Sequence, residues 1–88
     1  MTIQHNSITH DVLVFAKMMK KPIEAKEPMV VFARMDRLSK VQRSIYTLVK
    51  YGYMSDCGDG KAEITQAGID MIYLLARKYK SSAHDNDD

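Results

Sequence analysis

The stretch Leu38-Ser-Lys-Val-Gln-Arg-Ser-Ile-Tyr-Thr-Leu-Val-Lys-Tyr-Gly52 decides the fold. Leu38, Val41, Ile45, Leu48 and Val49 recur at the 3.6-residue period of an amphipathic helix. Ser39 can cap its start, and Gly52 stands where a glycine ends a helix just past its last turn. Lys40, Gln42, Arg43, Thr47 and Lys50 fall on the complementary faces and must meet water. Either that face is only the wet side of a core helix, or it is built to enter a groove of DNA.

Upstream, Glu27-Pro28 opens a second helical segment running to about Met35, with the proline at the first helical position. Val30, Val31 and Phe32 also suit a buried strand, but Pro28 on one side and the charged turn Met35-Asp-Arg37 on the other favour a helix. The first periodic segment is Ile8 to Lys20, capped by Thr9 or Ser7, with Asp11 favouring its positive end. Val12, Leu13, Phe15, Ala16 and Met19 form its apolar face, which Val14 and Met18 carry further round. Lys20-Lys-Pro22 stops it, because the residue before a proline disfavours helical geometry.

Downstream, Tyr53–Cys57 and Lys61–Thr65 flank Gly58-Asp-Gly60, the pattern of a hairpin around an Asp-Gly turn. Thr65 can cap a last helix from about Gln66 to Tyr79, with Ile69, Ile72, Tyr73, Leu75 and Ala76 facing inward and Met71 and Leu74 widening the apolar surface. The expected fold is therefore mainly α with a small β-hairpin: one domain over residues 8–80, with flexible termini at 1–7 and 81–88.

Composition narrows the function. Eighty-eight residues make a small core, for which a partner or second copy would be useful. The net charge of +2 hides an asymmetry. Asp85, Asp87 and Asp88 lie in the tail, so residues 1–80 carry thirteen bases against eight acids, a balance of +5. Arg34, Arg37, Lys40, Arg43 and Lys50 oppose Asp36 alone over that span, an excess able to steer a polyanion. Cys57 is the single cysteine, which excludes an internal disulfide framework. With no leader pattern and no membrane-spanning run, a cytoplasmic or nucleoid-associated setting without membrane contact is expected. Cys57, His5, His10 and His84 fall short of a metal-ligand set, and no cofactor is expected.

Ser39 to Tyr53 resembles the recognition helix and following strand of winged helix-turn-helix regulators, broadly of the MarR and PadR kind. Ile64-Thr-Gln-Ala-Gly68 resembles the phrase that closes the wing and opens the last helix. The resemblance implies a winged helix-turn-helix fold and sequence-specific binding of double-stranded DNA by a small transcriptional regulator. Its wing would be short with Lys61 as sole base, whereas members that grip the minor groove usually carry longer, arginine-bearing wings.

In such a fold the second helix of the motif lies in the major groove, its early residues nearest the bases. Ser39 and Lys40 then face the backbone at the helix start. Arg43 can take guanine bidentately and Gln42 can pair with adenine, while Thr47 meets a thymine methyl or a phosphate. Lys50 is expected on the backbone, and Arg37 and Lys61 widen the positive footprint. Tyr46 and Tyr53 are expected as core or rim residues, and Cys57 as a small strand hydrophobe.

An enzyme is not expected. The acids form no paired signature for acid–base work, and Asp56-Cys-Gly-Asp-Gly60 is too short for a phosphate-cradling loop. The alternative is a winged-helix protein-interaction module, an adaptor or inhibitor of a host complex. Val14, Met18, Met71 and Leu74 are expected to form a homodimer interface. In the competing monomer, both apolar stripes pack on each other and on Val30, Val31 and Phe32.

Overall fold

The computed structural model describes residue 3, residues 7–32 and residues 35–87, the last nine as backbone alone. Helix α1 spans Ile8–Met19, strand β1 Ile23–Glu24, α2 Lys26–Val31, α3 Leu38–Lys50, β2 Met54–Gly58, β3 Lys61–Ile64 and α4 Gln66–Asp87. The chain is thus mostly helical with a small antiparallel sheet, whose three strands lie in the order β1-β3-β2. Most of the amino-terminal segment 1–7 falls outside the described residues, though Ile3 belongs to the core; at the other end α4 continues as helix to Asp87.

Capping sets the ends of α1. Ser7 Oγ accepts from the His10 amide at 3.1 Å, so Ser7 and not Thr9 is the cap. Lys20 adopts the left-handed conformation (φ 57°) and its amide donates to the Ala16 carbonyl at 3.2 Å, ending the helix before Pro22. Val12, Leu13, Phe15 and Ala16 then bury α1 at the centre of the molecule, against α3, α4 and the sheet.

Strand β1 was not expected. It is only two residues long, but Ile23 pairs with Ala62 and its side chain is fully buried, so the anticipated hairpin becomes a three-stranded sheet. Helix α2 also differs from expectation, starting earlier and ending at Val31 rather than near Met35. Pro28 is its third residue, not its first. The position is tolerated because the first four amides of a helix have no partner within it, and the ring is fully buried. Val30 and Val31 are 89% and 63% exposed, so they do not join the core as the monomer packing supposed. Met29 and Phe32 do pack against it.

Helix α3 forms where its periodicity places it, with three corrections. Arg37, not Ser39, is its N-cap residue, and no side chain caps it. Leu38 is 45% exposed because the first turn overhangs the core. The inward stripe is Val41, Ser44 and Leu48, with Ile45 and Val49 beside it. Ser44 is buried and accepts from Thr9 Oγ1 at 3.2 Å, a small polar residue at the α1–α3 contact. At the C-terminus, the Gly52 amide donates to Val49 and the Tyr53 amide to the Leu48 carbonyl, at 3.1 and 2.9 Å. This is a Schellman cap, with Gly52 at φ 83°.

The β2–β3 hairpin turns through Asp59 and Gly60 at φ 54° and 75°, the positive pair of a type I′ turn. Asp56 pairs with Ala62 and Gly58 with Lys61, so Cys57 is an extra residue bulged from the ladder. Met54 and Ala62 point into the core, and Lys61 and Glu63 point out. Thr65 caps α4 by accepting from the Gly68 amide at 3.2 Å. Gly68, Met71, Ile72 and Leu75 line the helix's inner side, while Tyr73 and Ala76, expected to face inward, are exposed.

Candidate nucleic-acid interface

The outer face of α3 follows from its inner one. With Val41, Ser44 and Leu48 turned into the core, Ser39, Lys40, Gln42, Arg43, Tyr46 and Lys50 are left exposed, and Thr47 is half-buried at the edge. Arg37 is exposed at the helix entrance. Each base named from the sequence and described in the structure is therefore open to solvent. Arg34, counted in the same positive excess, lies outside the described residues.

These cations are not neutralised locally. Among the described residues the ion pair formed is Lys26 Nζ to Glu24 Oε2 at 3.6 Å, and no carboxylate engages Arg37, Lys40, Arg43, Lys50 or Lys61. Lys50 Nζ instead lies 5.9 Å from the centre of the Tyr51 ring, an exposed cation–π contact that still leaves its charge available.

A groove of about 520 Å³ runs between α3 and the sheet. Leu38, Ile45, Val49 and Ala62 give it apolar walls, and Gln42, Tyr46 and Lys61 stand around it. The fold thus brings Lys61 of the hairpin to the same groove as Gln42 of α3, while Lys40 and Thr47 lie on the other flank of the helix. The hairpin as a whole is acidic. Asp56, Asp59 and Glu63 outnumber Lys61, so its field works against a close approach to phosphate.

Tyr46 was missed from the sequence as a functional candidate. It is 68% exposed near the middle of the outer face, neither core nor rim. The signal was available in its spacing, since position 46 lies one turn from both Gln42 and Lys50. Cys57 also departs from expectation: it is an exposed bulge residue rather than a packed hydrophobe. Its thiol is raised above its ordinary pKa by local desolvation and then by the Glu63 carboxylate, which is the reverse of an activated cysteine.

Of the residues assigned to a subunit contact, Met18 and Leu74 are 71% and 41% exposed. Val14 is half-buried, and Met71 is half-buried against the core. Tyr73 joins the exposed set at 57%, with Lys17 Nζ 5.3 Å from the centre of its ring, so the exposed sides of α1 and α4 meet there.

Among the described residues no helix is long and apolar enough to cross a membrane, and no group of three or more His, Cys, Asp or Glu side chains is placed to hold a metal ion. No known protein family, curated protein or solved structure matches this chain.

Proposed function

We propose that the protein is a winged helix-turn-helix regulator that binds double-stranded DNA, with α3 in the major groove. The observation that carries this reading is the row of exposed, locally unneutralised Arg37, Lys40, Arg43 and Lys50 along and before one helix. The order of elements supports it: a helix pair, α2 and α3, is followed by a two-stranded wing whose second strand also pairs with β1. In this fold α2 and the core hold α3 outward, as groove entry requires. Arg43 and Gln42 are the base-contacting residues, Arg43 through guanine and Gln42 through adenine. Arg37, Ser39, Lys40 and Lys50 engage the backbone, Thr47 touches backbone or a thymine methyl, and Lys61 adds one phosphate contact.

The test is a titration of random-sequence and genomic duplexes at two salt concentrations. Phosphate neutralisation gives an affinity that falls as salt rises, with a slope set by the number of contacts. Arg43→Ala is expected to weaken specific binding by about 1–3 kcal/mol and to relax preference at one base pair. Absence of any binding at low salt overturns the reading. The alternative, a protein-interaction module, is favoured by the apolar groove and acidic hairpin. It takes the place of DNA binding in that event.

A further inference from the structure

On the DNA-binding reading above, we infer that Tyr46 is a specificity-determining residue that senses the 5-methyl group of thymine in the major groove. Its position is fixed by the core side of the helix. Val41, Ser44 and Leu48 are buried, and Tyr46 is turned roughly 140–160° from each of them at 100° per residue. That puts its side chain on the outer side of α3, at the lip of the groove toward the sheet, where it is 68% exposed. Arg43 and Lys50 lie one turn away on either side. Among the described residues its hydroxyl has no hydrogen-bond partner and no cation lies over its ring, unlike Tyr51 and Tyr73.

A helix that enters the groove with Arg43 at the bases also takes Tyr46 in. The ring then loses its water and needs an apolar neighbour. The edges of guanine, cytosine and adenine offer only donors and acceptors on the groove floor, whereas thymine adds a methyl group. Pressing an aromatic face on polar edges leaves them unpaired, and pressing it on the methyl does not. The rise from position 43 to 46 is roughly 4.5 Å along the helix, nearer to one base-pair step of about 3.4 Å than to two. The preferred site therefore sets a thymine beside the guanine taken by Arg43.

The experiment selects duplexes from a random pool with the wild-type protein. It then rebuilds the best-bound one with deoxyuridine in place of each thymidine in turn, which removes only the methyl. Affinities are measured at low salt, where phosphate contacts sustain binding by weakened variants. Wild type is expected to lose about fourfold at the thymine next to the base pair whose preference Arg43→Ala relaxes, the worth of one buried methyl. Tyr46→Phe keeps that loss, because the ring makes the contact, and Tyr46→Ala binds both duplexes alike. Wild-type indifference to every uracil, the same loss in Tyr46→Ala, or failure of folded Tyr46→Ala to bind either duplex overturns the role of Tyr46 while duplex binding stands. Failure of wild type to retain any duplex overturns DNA binding itself, and this inference with it.

Discussion

Gly68 shows how a single hydrogen atom in place of a side chain fixes the packing of α4. A β-carbon there would collide with the Tyr53 carbonyl oxygen and lie 2.7 Å from Ile64 Cγ1 and 3.2 Å from Leu13 Cδ1. The carbonyl cannot yield easily, because it already accepts from the Thr65 amide at 3.1 Å. Thr65 tightens the junction further: its hydroxyl donates to the Gly52 carbonyl at 2.6 Å while accepting from the Gly68 amide. Gly68→Ala is expected to cost about 3 kcal/mol through overpacking, despite alanine's better helix propensity. Gly52→Ala meets nothing within 4 Å and carries only the left-handed backbone strain, about 1–2 kcal/mol. Thermal unfolding of the two variants checks the order. A Gly68→Ala protein as stable as wild type would show that α4 does not pack this closely on Tyr53, β3 and α1.

The hairpin is the element whose charge and shape give the clearest expectation about DNA. Lys61 is exposed on β3, but the same hairpin carries Asp56 and Glu63 on its strands and Asp59 in its turn. Lys61→Ala is expected to lower affinity modestly and to reduce the salt slope by about 1, without changing base preference. Quantitative binding at several salt concentrations, to a preferred and an unrelated duplex, measures both quantities. A strong loss confined to the preferred duplex would mean that the hairpin reads sequence. This hairpin was legible in the sequence because Asp59-Gly60 demands a turn between two short segments, of which Lys61-Ala-Glu-Ile64 alternates and Met54–Gly58 does not. Helix α3 was legible through its period, but its cap was not: Ser39 has a capping side chain, yet the chain enters two residues earlier at Arg37. Strand β1 left no signal, since two residues carry no period and Ile23 is defined as strand only by its pairing with Ala62. The ends of α2 were hidden for a related reason. Proline excludes a helix interior but fits any of the first positions, so Glu27-Pro28 located the start only loosely. Most of the candidate face was readable from α3's polar residues; Tyr46 was legible in part through its spacing from Gln42 and Lys50, and its full prominence follows from Ser44, rather than Ile45, being buried.

A molecule this small leaves apolar surface uncovered, and its distribution bears on the working assembly. Met18, Tyr73 and Leu74 are exposed on α1 and α4, on helices that meet through Lys17 and Tyr73. Val30 and Val31 are exposed on α2 and do not fold back to cover them. Burying a side chain of methionine or leucine size yields about 1.5–3 kcal/mol, so a few such residues brought against a second copy offset much of the cost of association. A twofold arrangement through α1 and α4 leaves α3 of each copy available and sets two recognition helices on one duplex, with half-sites about 34–36 Å apart if they occupy one face. Met71, half-buried against the core, contributes less to such a contact than Met18 and Leu74. Sedimentation at micromolar concentration is expected to show a dimer for wild type and a folded monomer for Leu74→Glu, because a carboxylate at that position would be desolvated on pairing. Leu74 is not among the residues packed against the core, so thermal unfolding of the variant at low concentration should stay close to that of the wild-type monomer. A wild type that remains monomeric at every concentration removes the dimer, and half-site symmetry in the selected DNA should vanish with it.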